Sequence, residues 1–352
     1  MSRFIYLRGL RQVDHTVFGV VEGQKFYYSP LNNRRQPFAS GQQVKRSIMD
    51  AMVASIPGER RAPITFNYEI VPAKKGDGKT SNQKEPWNPC DPSYVDQLIG
   101  GWMRAQKGSP AVKRRSPLSI SAFRPLHPSL ANLESNESGT FDRSDNPDQN
   151  KLVVRDEKGN VMTDEQVQKF LSNNDRSLPM RNWLDLGSRA NGLFIYDIAI
   201  DKERLFKVTT NQYDAALTLE MIEKLKEDGW EESGSDLVAP SNMRSKIVQA
   251  LAEALVNWRI TSNQSRTFSP QGNLALAVTN NANKIVNAIR ADLKDNQEEE
   301  NFSANPIIDR TVSDTKLFVA PAARGYISGI EVDANASEAC VEHLKKLLAN
   351  QI

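Results

Sequence analysis

At 352 residues, with 39% hydrophobic and 25% charged residues, the chain has the composition of a soluble globular protein able to bury a sizeable core, which excludes a wholly disordered chain. Its formal net charge of +2 conceals an asymmetry, because residues 1–120 hold 19 Lys+Arg against 9 Asp+Glu while residues 121–352 hold 26 against 34. Such a split predicts a polyanion on one face of the fold and self-association between unlike faces.

In chain order, Ser2–Gly9 alternates Phe4, Tyr6 and Arg8 with Ile5 and Leu7, the period-two pattern of a strand with two unlike faces. A turn-rich loop leads to a helix opened by Ser40, a good N-cap, and running from Gly41 to about Ile56, where Pro57 and Gly58 stop it. Val44, Ile48, Met52 and Ile56 form its buried stripe, with Ala51 and Ser55 beside them. ITFNYEIV (64–71) reads as a strand, whereas residues 74–94, rich in Pro, Gly and Lys, read as an irregular insertion. PLSISAFRPLHP (117–128) contains another short strand. From Leu130 to about Asn182 the chain is polar, and its NESGTFDRSDNPDQNK stretch is too poor in apolar residues to fold on its own core. This part reads as a projecting arm with one helix, Asp164–Leu171.

GLFIYDIAI (192–200) is the most apolar strand and is expected to be central. Helices follow at Thr218–Asp228 and from Met243 to about Arg259, the second with Ile247, Leu251, Ala254 and Val256 or Trp258 inward. NLALAVT (273–279), TKLFVA and YISGIEVD read as strands, and the last helix starts near Ser337 with Cys340, Leu344, Leu347 and Leu348 inward. The core order is strand, helix, strand, strand, helix, strand. That is an α+β fold with a ferredoxin-like or RNA-recognition-motif core, an antiparallel sheet and long insertions.

Catalytic signatures are scarce. His15, His127 and His343 are isolated in sequence, and no HExxH, GxSxG or CxxC occurs, so no metal or cofactor is expected. GDGKT (76–80) ends like a phosphate-binding loop, but its first glycine would fall at Ala73 and a Pro-rich stretch follows it. Cys90 and Cys340 lack metal-ligand spacing, and the N-terminus has no apolar run suited to a signal or membrane span, which points to the reducing cytoplasm.

The informative stretch is LNNRRQPFASGQQVKRSIMDAM (31–52). It places Arg34, Arg35, Lys45 and Arg46 around the opening of one helix, with no acid between Glu22 and Asp50. A helix N-terminus already favours an anion, and Arg forks suit phosphate oxygens. Basic residues there are also common as plain surface, although without a ligand they are mildly unfavourable for the helix dipole.

NNRRQPFASGQQVKRSI resembles the hallmark segment of the CRISPR-associated DevR family, the seventh Cas protein family, which forms the repeated backbone of type I Cascade complexes, and the pattern leans towards type I-B. ANGLFIYDIAID, SNQSRTFSPQGNLALAVT and SISAFRPLHP resemble, in order, the family's central strand, its basic loop running into an apolar strand, and the strand where its thumb begins. The resemblance implies a palm, fingers and thumb organisation. Residues 1–56 would be the first part of the core, 57–116 a fingers-like insertion, 117–125 a core strand, 126–190 a thumb-like arm and 191–352 the remainder of the core.

It further implies that copies stack head to tail along CRISPR RNA, holding phosphates and leaving bases free to pair with a target DNA strand, alongside cap, large and guide-processing subunits. The candidate RNA-binding residues are Arg34, Arg35, Gln42, Lys45, Arg46, Met49, Arg266 and Arg324. Phe4 and Tyr6 are read as packing residues. Related type III backbones use an aspartate ahead of the first helix to cut RNA; Gly23–Gln43 contains no Asp or Glu, so the expectation is a non-catalytic scaffold. Two rival readings remain: a CRISPR endoribonuclease using His15 beside Tyr27 or Tyr28, and a free-standing regulatory RNA-binding protein.

Overall fold

The computed structural model describes residues 2–19, 24–63, 65–70, 82–106, 109–134, 154–174, 188–261, 267–294 and 303–349. They fall into two compact units, one of residues 1–133 with 189–352 and one of residues 134–188.

The larger unit opens with β1 (Phe4–Thr16), a short hairpin of β2 (Phe26–Tyr28) and β3 (Arg35–Pro37), and α1 (Gly41–Ser55). The hairpin of β4 (Thr65–Ile70) and β5 (Asn82–Trp87) is followed by α2 (Val95–Gly100) and a second hairpin, β6 (Trp102–Gln106) with β7 (Ser109–Arg114). Three short strands, β8 (Leu118–Ile120), β9 (Arg124–Pro125) and β10 (Ala131–Glu134), lead to the smaller unit, which holds α3 (Asp164–Asn173). The chain returns through β11 (Arg189–Asp201), then β12 (Lys207–Thr209), α4 (Leu219–Glu227), β13 (Glu231–Ser233) and β14 (Asp236–Val238), the three strands forming a small sheet. It continues with α5 (Ser241–Asn257), β15 (Asn273–Thr279), α6 (Ala282–Ala288), the hairpin β16 (Ile289–Leu293) and β17 (Ala304–Ile308), β18 (Thr315–Val319), a 3-10 turn Pro321–Gly325 and α7 (Ala336–Ala349).

The principal sheet runs β10-β11-β1-β15-β18, with β8 and β9 also on β11. β1 is antiparallel to both of its neighbours, from Phe4 opposite Asp201 to Val13 opposite Gly192 on one side and from Tyr6 opposite Thr279 on the other. Taken in chain order, β1, α1, the β8–β10 group, β11, α5 and β15 make the β-α-β-β-α-β succession, with the last strand beside the first and the third on its other flank. This is the α+β, ferredoxin-like core that the strand and helix order predicts. β11, paired on both edges beside the middle strand β1, is the interior strand expected of GLFIYDIAI.

Alternation along β1 divides the core in two. Ile5, Leu7 and Val13 pack with α1, α5 and α7 on one side, while Leu10 and the half-buried Tyr6 pack with α6, Ile289 and Ala323 on the other. Both sheet faces are therefore covered, and Tyr6 is a packing residue.

One cation ties this core together. Arg11 is fully buried and donates from Nη1 to the Trp258 carbonyl at 2.7 Å, from Nη2 to the Val256 carbonyl at 2.8 Å and from Nε to Asn273 Oδ1 at 2.8 Å. Its guanidinium carbon lies 4.1 Å from the Trp258 ring centre and 5.0 Å from that of Tyr196. The carbonyls belong to the end of α5, where helix geometry leaves acceptors unpaired. Burial pushes the Arg11 pKa down to about 9, so the group is still charged at neutral pH. Gly9, two residues back on the same face of β1, lies under the Tyr196 ring, and a Cβ there would collide with it.

Two sequence expectations are corrected. The stretch 74–94 is not irregular throughout: Asn82–Trp87 forms β5, because an antiparallel hairpin with β4 supplies the backbone pairing that its polar composition does not advertise. YISGIEVD (326–333) forms no strand; Gly329 takes a positive φ of 69°, and Ile330 and Val332 pack against the second cluster without a ladder. GDGKT and NESGTFDRSDNPDQNK lie outside the described residues. In the smaller unit α3 starts where expected, with a capping box between Thr163 and Gln166, and buries only Val167 among its own residues.

Replacing Arg11 by Met retains an apolar stem but removes three charge-assisted hydrogen bonds, taking the Arg11 donor from Asn273 Oδ1 and leaving the Val256 and Trp258 carbonyls to Asn273 Nδ2 and Arg259 Nη1. The expected loss is about 2–5 kcal/mol, read as a lower urea midpoint at unchanged slope.

Candidate nucleic-acid interface

The β2–β3 hairpin presents Arg34 and Arg35. Its tip is closed by Ser29 N–H donating to the Arg34 carbonyl at 3.0 Å and Asn33 N–H to the Ser29 carbonyl at 2.8 Å, with Asn33 at a φ of 51°, a left-handed position that Asn tolerates. Its base is locked by Gln24, whose Oε1 accepts from Phe18 N–H at 2.8 Å and whose Nε2 donates to the Lys25 and Phe38 carbonyls. Ala39 and Phe123 exchange two backbone bonds, which fixes the hairpin to the β8–β9 connection.

Period-two alternation gives the hairpin two unlike faces. Tyr27 and Gln36 are paired across the strands; Gln36 is buried and donates to the Pro128 carbonyl at 3.3 Å. On the other face Tyr28 stands opposite Arg35, the Arg35 guanidinium lies 4.7 Å over the Phe26 ring, and Phe26 meets Tyr28 edge to face at 5.8 Å. Phe26 and Tyr28 are 40% and 55% exposed, unusual for large aromatics without a partner. Neither Arg34 nor Arg35 forms an ion pair among the described residues, as expected of an acid-free segment. An exposed aromatic surface edged by unpaired guanidiniums suits a single strand, with bases stacking on rings and phosphates meeting Arg.

Behind the hairpin, α1 starts at Gly41 with Ser40 Oγ accepting from Gln43 N–H at 3.3 Å. A cleft of about 750 Å³ runs between α1 and the end of α5, lined on one side by Lys25, Gln42 and Arg46 and on the other by Asn257, Arg259 and Thr261. Arg259 donates to the Pro270 carbonyl at 2.5 Å and the Trp258 carbonyl at 2.7 Å, and burial lowers its pKa.

The remaining sequence candidates separate. Gln42 is exposed on the cleft. Arg46 is exposed there too, but its Nε is paired with Asp50 at 2.9 Å, and Asp50 also receives Arg61 at 2.7 Å. Lys45 does not face outward: its Nζ caps the end of α2 at the Gly100 carbonyl, 2.5 Å away, and burial followed by the nearby Arg114 charge lowers its pKa. Met49 is a core residue at 4% exposure, so the buried stripe includes Met49 and Val53 and leaves Ile56 only half-buried. α2, absent from the sequence reading, covers that flank of α1. Arg324 is exposed on the 3-10 turn whose Ala323 enters the second cluster, which puts that turn on the opposite side of the sheet from α1. Arg266 lies outside the described residues.

Sequence reasoning missed Phe26, Lys25 and Arg259, and weighed Tyr28 only in a nuclease role. The legible signal was FYY within ten residues of RR, two aromatics spaced to share one strand face.

Gly41 is explained by packing. A Cβ there would lie 2.6 Å from the Ile120 carbonyl and 3.2 Å from that of Ser121. Gly41→Ala should therefore destabilise the protein by about 1–3 kcal/mol in thermal or urea unfolding, although helix propensity alone would favour Ala by about 1 kcal/mol. The sign separates backbone packing from a glycine kept only for ligand approach.

No family model matches the sequence, and no curated protein matches it. Among solved structures, the chain is similar to one from a CRISPR RNA-guided surveillance complex, pre-nicking, with TM-score 0.44 and 8% identity over 99% of this chain and 89% of that one. It is also similar to one from a CRISPR RNA-guided surveillance complex, with TM-score 0.37 and 10% identity over 99% and 84%. At these scores and identities the likeness carries no weight for the function of this chain.

Proposed function

We propose that this protein binds the guide RNA of a CRISPR surveillance complex as a repeated, non-catalytic backbone subunit. The observation that carries the RNA-binding part is the hairpin face on which Arg35 covers Phe26 opposite Tyr28, with Arg34 at the tip and the basic cleft along α1 beside it. Such a surface grips a single strand of any sequence, since every base has a stackable face and every nucleotide a phosphate. The resemblance of residues 32–48 to the DevR-like segment supports the assignment to a type I complex. In this reading residues 126–190, which include the compact unit at 134–188, are the thumb, copies add head to tail, and the bases left unstacked pair with the target DNA strand. The chain supplies no carboxylate between Glu22 and Asp50 to hold a metal at the RNA, which supports a scaffold role.

Two measurements test this. On RNA of about 60 nucleotides, several copies should bind each strand by sizing and light scattering, and the RNA should stay intact with or without Mg²⁺. A single copy per strand, or cleavage abolished by one substitution, would sink the proposal. In salt titrations, Arg34→Gln with Arg35→Gln should make the dependence of log affinity on log salt shallower by about 0.7 per phosphate contact, roughly 1.4 for the pair, for all sequences alike. Lys45→Gln should instead leave the slope unchanged and lower stability by about 0.5–1.5 kcal/mol, because it removes a bond to the end of α2.

A further inference from the structure

At the opposite end of β1 from the hairpin lies a second basic concavity, of about 470 Å³. β1 spans 13 residues, about 40 Å of extended strand, and the concavity shares no lining residue with the hairpin or with the cleft along α1. Six cations line the concavity, from three separate stretches of chain: Arg3 ahead of β1, Lys113, Arg114 and Arg115 at the end of β7, and Arg204 and Lys207 after β11.

Part of this charge is internally balanced. Arg3 pairs with Asp201 at 2.5 Å and Glu203 at 3.3 Å, Arg204 with Asp201 at 3.6 Å and Lys113 with Asp214 at 3.2 Å. Burial pushes the Asp201 carboxyl up, but the Arg3 hydrogen bond and the charges of Arg3 and Arg204 outweigh it and hold the group below its usual range.

The rest is not balanced. Arg114, 8% exposed, has no carboxylate partner among the described residues. It donates to the Leu98 carbonyl, to that of Arg204 at 2.8 Å and to that of Lys207 at 3.0 Å, beside the Trp102 ring. Burial, with the neighbouring Arg204 charge, lowers its pKa to about 10, so it remains a cation at pH 7 held only by peptide dipoles. Arg115 and Lys207 are exposed and form no ion pair among the described residues. Against these three cations stands Asp236 alone among the lining carboxylates left without an ion pair.

We propose that this concavity is a second anion site that takes phosphate groups. The Arg115 guanidinium from the end of β7 and the Lys207 ammonium from after β11 line one concavity over the buried Arg114 charge, so phosphoryl oxygens pointing in different directions can each find a cation. A single flat carboxylate would engage only one fork. An incoming phosphate would relieve the repulsion between Arg114 and Arg204 and pair Arg115 and Lys207, which now spend their charge on water. The same chemistry is offered by a terminal phosphate and by the internal phosphates of a strand, and the site is independent of the hairpin in position and in residues.

The test is calorimetric titration of the full chain with sodium pyrophosphate at low ionic strength, then with uridine tetranucleotide carrying or lacking a 5′-phosphate. Saturable pyrophosphate binding should weaken at least about tenfold in Arg115→Gln/Lys207→Gln, consistent with loss of charge-assisted bonds. It should persist in the charge-conserving Arg115→Lys/Lys207→Arg and in Arg34→Gln/Arg35→Gln. Preference for the 5′-phosphorylated tetranucleotide, lost in the double Gln variant, would assign a terminal phosphate; equal binding of the two, weakened in that variant, would assign internal phosphates. Both Gln substitutions are at exposed positions, so unchanged melting by circular dichroism is expected. No saturable pyrophosphate binding, or equal binding by wild type and the double Gln variant, would overturn the proposal. Because the readout is a small anion, it can fail while the hairpin still binds RNA, or succeed when the hairpin does not.

Discussion

The structure depends on how a buried positive charge is accommodated. Arg11 sits at the middle of the first core strand, where an unsolvated guanidinium would be costly. It is accommodated by the unpaired carbonyls at the end of α5 and by the faces of Trp258 and Tyr196. That arrangement fixes where α5 ends relative to β1. It thereby places Asn257, Arg259 and Thr261 across from α1, and the cleft beside the hairpin exists because of it.

The same solution recurs at α2. Its last turn offers the Leu98, Ile99 and Gly100 carbonyls, which accept from Arg114, Ser116 and Lys45. Cations at a helix C-terminus gain from both hydrogen bonds and the dipole. The fold therefore uses part of its basic front third as internal fastening. Left for a partner among the described residues of that third are exposed cations without an ion pair, including Arg34 and Arg35 at the hairpin and Arg115 at the far end of β1, where Lys207 from later in the chain joins it. A net count of charge overstates the surface available to a polyanion, and the pairing pattern corrects it.

The hairpin and the cleft also differ in kind. The hairpin carries aromatics and arginines with no competing acid, so rings and charges are both open to a strand. In the cleft, Asp50 already holds Arg46 and Arg61, and Arg259 is bound to backbone carbonyls. A phosphate there would have to compete with these bonds, so the hairpin is the stronger part of the interface and the cleft its continuation.

The sequence by itself determined the core. Period-two alternation at the start of β1, near-continuous apolar runs in Arg189–Asp201 and Asn273–Thr279, and helical spacing in α1, α5 and α7 allow few arrangements, and the order of elements selects the ferredoxin-like one. It also singled out the acid-free basic stretch, because absence of a charge type is readable without coordinates. Only the tertiary structure decided which basic residues are free. Lys45 and Arg46 are neighbours on one helix, yet α2 turns one into a cap while Asp50 neutralises the other, and Met49 is buried by the same α2. The capping by Lys45 and the burial of Met49 depend on segments distant in the chain, as does the contact of Arg11 with Trp258, and local periodicity carries no information about such partners; the Arg46–Asp50 pair, four residues apart on one helix, is the part that helical spacing makes legible.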